Sequence, residues 1–473
     1  MLRKILSQSA LYGLAPHVSK VVGILILPII TRYLTETDWG IASTIAAYTG
    51  AISIFSTLGM NIVLSTSFYR YKYQYKWLWR QVYGFLQFWM IIFVILQSLL
   101  LWFIIPEEAL ENRWAIILLS GLSTAFFGAT SLIGVMHYRL QQNPWPIAVR
   151  SIISGFLTVF SNLLFVVWFE MGYMGWYISS FLSGCFVNAS YWWAVNKKYG
   201  LSPIYCFRMK TIIRSLKVAL PAIPHFYSSY LLNSSSRVVM DHYGMSMGSI
   251  GKYGFAAQFG GYFEIFVNSI NMAVNPMTLE QIRNNREDYA RKLIYAMLII
   301  IFGATFLFSL WAKEIFFVLV KNAELQTVYP LAIILIMAYN YRPMYIASTN
   351  MFFYYENTAN LLKVTAIAGV LSFIGYLIVI PIWGIWGAAV VNYIFLQYMG
   401  YSGFFMKEYK EKTKVVYPFI KVLLLSLFLT GFVFWAVELA WPVKLVISLA
   451  YIVVSVIYLR SLNLNQDSGN SGK

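Results

Sequence analysis

The 473-residue chain has little charge, few acidic residues and only two cysteines. Charged residues make up 11% of the sequence, against about 25% in an average soluble domain, while hydrophobic residues make up 59%. This composition excludes an array of soluble domains and predicts a protein that lies within a membrane. Cys185 and Cys206 are too few for a disulfide framework or a thiolate metal site.

Long apolar runs account for most of the chain. A helix needs about 20 mainly apolar residues to cross roughly 30 Å of hydrocarbon. Such runs are too long for barrel strands and do not alternate, so they predict helices. The predicted fold is an all-α integral membrane protein with about 14 transmembrane helices. We place them near 8–31, 41–66, 82–105, 114–136, 147–169, 173–195, 218–240, 251–277, 293–311, 328–351, 361–381, 383–405, 416–437 and 442–460.

The basic residues are concentrated in the loops after even-numbered spans. Odd-numbered spans are followed by short links with few bases, such as Pro106-Glu107-Glu108. The positive-inside rule therefore predicts that both termini and the basic loops are cytoplasmic. The net charge of +17 is mostly a consequence of topology, because the bases are divided among separate loops and form no single nucleic-acid-binding patch.

The chain also contains an internal repeat. Trp39-Gly40-Ile41-Ala42-Ser43 returns as Tyr253-Gly254-Phe255-Ala256-Ala257, at an offset of 214 residues. Three further pairs have offsets between 208 and 215, namely Pro16-His17 with Pro224-His225, Met136 with Met351, and Gly172-Tyr173-Met174-Gly175 with Gly384-Ile385-Trp386-Gly387. Each copy spans six helices, so both enter the membrane from the same side. This predicts two parallel six-helix repeats around a central cleft, plus two extra C-terminal helices.

The predicted boundaries follow from this repeat and from composition. Residues 1–199 form an N-terminal six-helix lobe and residues 218–406 a C-terminal six-helix lobe. Between them, 200–217 mixes apolar and basic residues, which is typical of a cytoplasmic interfacial linker helix. Residues 407–460 supply two additional transmembrane helices, and 461–473 are predicted to be a disordered cytoplasmic tail.

Ionisable residues inside spans are the candidate binding residues. A charge in hydrocarbon costs about 2.5 kcal/mol or more, so it should face a cavity or a partner. Lys20 and Arg342 lie deep in the first and tenth spans, and Pro343 is expected to interrupt the helix beside Arg342. The predicted substrate site is a cationic cleft, and we predict no catalytic residue, metal or cofactor. Its residues are Lys20, Arg342, His17, His225, Arg237, Arg150 and Lys363.

Several of these residues have a simpler interpretation. Arg150, Arg237 and Lys363 lie nearer to span ends and could reach lipid headgroups. The two histidines could be hydrogen-bonded packing residues beside prolines. Glu264, near the middle of the eighth span, is either a site for ion coupling or a salt-bridge partner of a deep base, and the sequence leaves this choice open.

Five local motifs are informative. They are Ser7-Gln8-Ser9-Ala10-Leu11-Tyr12-Gly13, Leu27-Pro28-Ile29-Ile30-Thr31-Arg32-Tyr33-Leu34, Thr37-Asp38-Trp39-Gly40, Asn233-Ser234-Ser235-Ser236-Arg237 and Ile250-Gly251-Lys252-Tyr253-Gly254. With these motifs the chain resembles polysaccharide transport proteins of the multidrug/oligosaccharidyl-lipid/polysaccharide exporter superfamily, which include O-antigen and capsule repeat-unit flippases. The resemblance extends over nearly the whole chain through span count, topology and duplication. Many relatives carry Asp where this chain has Ser236, so a role that needs that acid does not transfer.

The resemblance implies a transporter of the bacterial inner membrane, with membrane lipids around it. It would flip a polyisoprenyl-diphosphate-linked oligosaccharide from the cytoplasmic to the outer leaflet by alternating access. A proton or sodium counter-ion and contacts with a polysaccharide polymerase and chain-length proteins are further expectations. The alternatives are a peptidoglycan-precursor lipid flippase and a multidrug or cation antiporter of the same superfamily.

The physical chemistry agrees with a flippase. An oligosaccharide cannot cross hydrocarbon cheaply, because each unsatisfied polar group costs several kcal/mol, so it needs a hydrated cleft. Lys and Arg there would neutralise the diphosphate through charge-assisted hydrogen bonds. An enzyme is not predicted, because the sequence has no nucleotide-binding glycine loop, no paired carboxylates outside the membrane and no His/Cys metal spacing.

Overall fold

The computed structural model describes residues 18–71, 74–355, 357–413 and 415–462, and every regular element in these ranges is a helix. The predicted all-α class is therefore confirmed. We number the α-helices in chain order. They are α1 (Val18–Ile30), α2 (Glu36–Ser53), α3 (Met60–Arg70), α4 (Tyr75–Ile104), α5 (Arg113–Leu140), α6 (Trp145–Asn162), α7 (Gly172–Ser190), α8 (Met209–Ala219), α9 (Ile223–Asn233), α10 (Ser235–His242), α11 (Met247–Arg283), α12 (Glu287–Leu310), α13 (Ala312–Leu319), α14 (Ala323–Gln326), α15 (Tyr329–Met337), α16 (Arg342–Tyr354), α17 (Thr358–Tyr401), α18 (Lys407–Lys412), α19 (Phe419–Ala436) and α20 (Trp441–Ser461).

Short turns of other helix types extend or interrupt these helices. The 3₁₀ turns are Glu107–Asn112, Leu220–Ala222, Ala338–Tyr341 and Ser402–Phe405. Two π-helical turns, Leu163–Trp168 and Ala194–Lys198, follow α6 and α7. Such turns occur where the regular hydrogen-bond ladder is disturbed.

Seven helices in the described ranges are long and apolar enough to cross a membrane. One of these, Ala359–Phe405, is 47 residues long and contains Gly384 in a non-helical conformation, so it holds two helical segments. This division agrees with the predicted spans 361–381 and 383–405. Other predicted spans are divided into shorter helices. Span 41–66, for example, is α2 and α3 joined by a turn over residues 54–59.

Two glycines at equivalent points of the repeat share a positive φ. Gly172 has φ 51° and Gly384 has φ 55°. They open the paired motifs Gly172-Tyr173-Met174-Gly175 and Gly384-Ile385-Trp386-Gly387. Positive φ is readily adopted only by glycine, so the duplication is visible in backbone geometry as well as in sequence.

Chain contacts separate the protein into two compact units. The first contains residues up to Tyr230 together with Gly244–Gly251, and the second contains Leu231–Tyr243 and the chain from Lys252 onward. The lobe and linker boundaries proposed from the sequence stay predictions. Within the 200–217 segment, the structure has a helix from Met209, which continues to Ala219 as α8.

In the first unit, the motif Thr37-Asp38-Trp39-Gly40 fixes the start of α2. Asp38 accepts a hydrogen bond from the backbone N of Thr35 (2.8 Å) and donates its own N–H to the Thr35 hydroxyl (3.2 Å), which completes a capping box. Its other carboxylate oxygen accepts from the backbone N of Tyr173, 3.0 Å away at the start of α7. One aspartate therefore ties the starts of two helices together. Trp39 packs edge-on against Trp176, with ring centroids 4.2 Å apart.

In the second unit, α12 packs against both C-terminal helices, α19 and α20. Phe306 stacks on Tyr451 with ring centroids 4.5 Å apart, and Trp311 Nε1 donates to Ser448 Oγ at 3.0 Å. At the same end, hydrogen bonds from Lys313 and Tyr329 hold the pKa of the Glu438 carboxyl below its ordinary value. The two helices outside the repeat are thus anchored to the repeat by both apolar and polar contacts.

Candidate functional site

Arg342 lies where a predicted span is interrupted. α15 ends at Met337, the 3₁₀ turn Ala338–Tyr341 follows, and α16 begins at Arg342 with Pro343 in its first turn. Proline has no backbone N–H to continue a helical ladder, so it favours a new helix start at this point. The predicted interruption beside Arg342 is confirmed.

The Arg342 guanidinium is held by neutral groups. Nη1 donates to the Tyr341 hydroxyl and Nη2 to Asn268 Oδ1, each at 2.8 Å. The Tyr341 and Tyr345 ring centroids lie 5.8 and 5.5 Å from Cζ, within cation–π range. The buried Nε has no hydrogen-bond partner among the described residues. The cation therefore keeps one buried donor that an anion could satisfy.

Glu264 lies on α11 near this cluster but does not bond directly to Arg342. The carboxylate interacts electrostatically with the Tyr339 hydroxyl and with Arg342. Among the described residues, Arg342 and Glu264 form no ion pair, and Asn268 occupies that position instead. The exposed side chain of Glu264 stays a candidate for either ion coupling or pairing with another base.

Arg237 lies on α10, just after a break in the polypeptide helix. Its guanidinium is 5.9 Å from the Tyr253 ring centroid, and its buried Nε has no hydrogen-bond partner in the described chain. Ser236, at the position where many relatives carry Asp, donates to the Tyr253 hydroxyl at 3.3 Å. The hydrogen-bond partner of Ser236 is therefore the Tyr253 phenol.

The break itself is stabilised by side chains of α17. α9 ends at Asn233 and α10 begins at Ser235. The carbonyl oxygen of Leu232 accepts from Tyr376 Oη at 2.8 Å and from Asn392 Nδ2 at 2.9 Å. Backbone carbonyls freed inside a membrane must find such partners, so these buried polar groups explain how the break is tolerated.

Arg150 and Lys363 have other neighbours. Arg150 uses its donors within the first unit: Nε bonds Ser190 Oγ (2.9 Å), Nη1 bonds the Pro146 carbonyl (2.9 Å) and Nη2 bonds the Ser190 carbonyl (3.2 Å). The exposed Lys363 lies near Glu408, whose pKa is lowered first by hydrogen bonds from its own backbone and Asn360 and then by the two neighbouring lysines.

Of the two predicted histidines and Lys20, the structure describes only the His225 side chain. His225 packs beside Phe226, with ring centroids 5.8 Å apart. Lys20 belongs to α1, but its side chain and all of His17 lie outside the described residues. Their roles stay predictions.

The first unit contains an uncharged polar cavity that sequence reasoning did not find. It has a volume of about 600 Å³, and none of the described side chains that line it is charged. Asn188 Nδ2 donates to Ser123 Oγ at 3.0 Å, so part of the lining is a connected polar network. Serine, threonine and amide side chains are common in membrane helices, which is why the sequence gave no distinct signal. Its polar and aromatic lining includes Thr49, Gln97, Ser120, Ser123, Trp176 and Asn188.

The described part of the chain contains no cluster of side chains suited to bind a metal ion. No group of three or more histidine, cysteine, aspartate or glutamate side chains is placed there to hold an ion. In the first unit, the structure instead places hydroxyl, amide and aromatic groups around one cavity. In the second unit, it places Arg342 among tyrosines, with one of its donors unbonded.

The apolar helices define a multi-pass membrane protein, and its fold is similar to that of several solved membrane proteins. The lipid II flippase MurJ in an inward closed conformation is 17% identical, with a TM-score of 0.72 over 96% of this chain and 99% of that one. An inward-facing multidrug-resistance MATE transporter is 13% identical, with a TM-score of 0.60 over 89% of this chain and 96% of that one. A mutant of the Vibrio cholerae MATE transporter VcmN is 14% identical, with a TM-score of 0.57 over 87% and 96%.

The sequence profile of the family described as "Polysaccharide biosynthesis protein" matches residues 5–281, more than half of the chain. The chain belongs to that family, and the resemblance read from the local motifs is confirmed. No curated protein matches the chain.

Proposed function

We propose that this protein is a flippase that moves polyisoprenyl-diphosphate-linked oligosaccharide repeat units from the cytoplasmic to the outer leaflet of a bacterial inner membrane. The products would be O-antigen, capsule or another surface polysaccharide. Family membership and the MurJ-like fold support this function. The observation that carries it is the Arg342 cation, which lies inside a span with neutral partners and one unbonded donor.

Arg342 has the chemistry to hold a diphosphate. A guanidinium presents a planar fork of donors that matches phosphate oxygens, and charge-assisted bonds of this kind are roughly twice as strong as neutral ones. Lys20, Arg237 and the two histidines would add to the same cationic cleft. We exclude Arg150 from the substrate-binding set, because each of its three nitrogens already donates a hydrogen bond to Pro146 or Ser190.

The neutral cavity of the first unit suits the sugar part of the cargo. Sugar hydroxyls need both donors and acceptors, which Ser123, Asn188 and Gln97 provide, and an apolar sugar face can stack on Trp176. Separate polar and cationic regions would allow one protein to hold an oligosaccharide and its diphosphate during alternating access.

The transport step needs little added energy. Two negative charges that move outward through an inside-negative potential gain about 2.3 kcal/mol per charge per 100 mV. We therefore propose that export is driven by membrane potential and by consumption of the product. Proton or sodium coupling through Glu264 is an additional hypothesis, as are contacts with the polymerase and chain-length proteins.

A peptidoglycan-precursor flippase is the second candidate, supported by the fold shared with the lipid II flippase MurJ. Its cargo would also be a lipid diphosphate, so Arg342 serves both functions equally well. Deletion separates them: loss of viability favours the peptidoglycan precursor, and loss of surface polysaccharide in growing cells favours our proposal. A multidrug antiporter for organic cations is disfavoured, because a cationic site repels such cargo.

The decisive variants are Arg342→Ala and Lys20→Ala. We expect each to abolish surface polysaccharide while the protein still reaches the membrane, because the diphosphate loses a charged partner. Arg342→Lys should retain part of the activity, since it keeps the charge but loses the forked geometry. Arg150→Ala is the matched control and should transport normally if it remains folded. Surface polysaccharide is measured by staining and protein level by immunoblot; normal polysaccharide in both alanine variants would refute the cationic-cleft mechanism.

A further inference from the structure

A second basic site lies in the first unit, where α8 packs against α3 and α4. A surface pocket of about 550 Å³ opens there. It combines three cations with several hydroxyl groups. The polar side chains on which the argument depends are Arg70, Lys210, Arg214, Thr66, Thr211 and Ser215.

The charge of this pocket is not compensated. Arg70, Lys210 and Arg214 have no ion-pair partner among the described residues. The sequence has no Asp or Glu at all in the stretches 39–106, 112–169 and 171–240. The acids of the first 240 residues are instead confined to three places, namely Glu36 and Asp38, Glu107 to Glu111, and Glu170.

Arg70, Lys210 and Arg214 all line the same pocket. Lys210 and Arg214 are four residues apart on α8, so they share one helix face, where like charges repel each other. Arg70 in the last turn of α3 lines the same pocket. Repulsion among three exposed bases is relieved by a bound anion, and nearby hydroxyls can donate to its oxygens.

The surroundings of the pocket indicate where the anion comes from. α8 buries Ile212 and Ala219 but exposes Met209 (56%), Ile213 (48%) and Val218 (55%). A helix with exposed apolar residues beside basic ones is typical of a membrane interface, where its apolar side chains enter the acyl boundary and its bases meet headgroups. Val218 and the aromatic Trp77 also line the pocket. The bases could therefore bind the headgroup of a lipid, while the apolar side chains contact its acyl chains.

We propose that the Arg70–Lys210–Arg214 pocket binds the phosphate headgroup of an anionic membrane phospholipid. The site holds α8 at the interface. It does not depend on the identity of the transported cargo, because it is built from residues of the first unit that the flippase proposal does not use.

Native mass spectrometry of the full-length purified protein tests the site. Phosphatidylglycerol and phosphatidylcholine with identical acyl chains are the two lipid probes. Each base near an anionic headgroup contributes about fivefold in affinity, so the Lys210→Gln/Arg214→Gln variant should lose phosphatidylglycerol binding by roughly 30-fold. Arg70→Gln should lose about fivefold. The matched control is Lys197→Gln/Lys198→Gln, which removes two exposed bases outside the pocket and should leave binding unchanged.

Four results would overturn the proposal. Equal losses in the control would mean general electrostatic attraction without a site. Equal binding of the two lipids by the wild-type protein would mean that the headgroup charge is not recognised. Displacement of the lipid by millimolar inorganic phosphate, or binding of a polyisoprenyl diphosphate in preference to phosphatidylglycerol, would assign the pocket to another phosphate source.

Discussion

Lys444 illustrates how a single charged residue is accommodated inside this protein. Its side chain is fully buried, and its Nζ donates to both carboxylate oxygens of Glu314, at 2.7 and 2.9 Å. The ammonium also lies 5.9 Å from the Trp311 ring centroid. A buried cation without its acid is costly, whereas a surface pair contributes little. The pair therefore links α20 to α13 only while both partners are present.

At the residue scale, Glu314→Gln should destabilise the protein by about 1–3 kcal/mol, a range reduced from the cost of a fully buried pair because Glu314 is 38% exposed. Thermal unfolding of the solubilised protein is the measurement. Glu438→Gln is the control, since Glu438 and its partner Lys313 are both about half exposed, and the expected loss is under about 1 kcal/mol. Equal losses of unfolding free energy in the two variants would show that burial does not make the Lys444–Glu314 pair more important than the exposed pair.

Helices in this protein begin and end at particular backbone conformations. Gly384 separates the two segments of α17 with φ 55° and ψ −135°, and Gly172 opens α7 with φ 51°. A Cβ at Gly172 would also lie 2.8 Å from the Asp38 carboxylate. These two positions therefore favour glycine, which agrees with its presence in both copies of the repeat.

At the element scale, Gly384→Ala should lower stability by about 1–2 kcal/mol, because a side chain is strained at this φ and ψ. Gly431→Ala is the matched control in α19: a Cβ there meets no atom within 4 Å, and replacing glycine inside a helix is neutral or stabilising. Denaturation midpoints of both variants against wild type provide the comparison. If the Gly431→Ala variant were destabilised and the Gly384→Ala variant were not, the backbone conformation of Gly384 would not require glycine.

Sequence patterns predicted the elements whose signals are local. Apolar runs indicated helices, Pro343 indicated the break beside Arg342, and the paired glycine motifs marked equivalent helix starts. The turn that divides span 41–66 was not predicted. It contains no proline, and it includes Leu58 at φ 48°, a conformation that a leucine adopts only when tertiary packing imposes it.

The candidate site was predictable only in part, for a similar reason. A charge inside a span is visible in the sequence, so Arg342 could be found. Its partners Asn268 and Tyr341 could not, because hydrogen bonds between distant segments depend on packing. The same packing explains Arg150, whose donors are taken up by Ser190 and Pro146.

Charge is distributed unequally along the whole molecule. Throughout the first 240 residues, the acids lie in or beside the links after odd-numbered spans, while most bases follow even-numbered ones. From this asymmetry, the positive-inside rule predicts an orientation in which the basic loops are cytoplasmic. The two cysteines allow that orientation to be tested, because Cys206 is exposed in a basic loop and Cys185 is half-buried in α7.

At the scale of the whole molecule, a membrane-impermeant maleimide should label Cys206 only after spheroplasts are permeabilised, in a Cys185→Ser background. The added Glu108→Cys variant, in the exposed link between α4 and α5, should be labelled in intact spheroplasts. Labelling is read as a mass shift on gels. The reverse pattern would invert the proposed topology, and with it the direction assigned to transport.

The break between α9 and α10 has a mechanical consequence. An uninterrupted helix resists bending, because a sharp bend separates backbone donors from their acceptors. At this junction the Leu232 carbonyl is already bonded to Tyr376 and Asn392, so a change of angle there sacrifices fewer ladder bonds than elsewhere. We infer that the junction bends more easily than an uninterrupted helix, and Arg237, three residues beyond Ser234, would move with it.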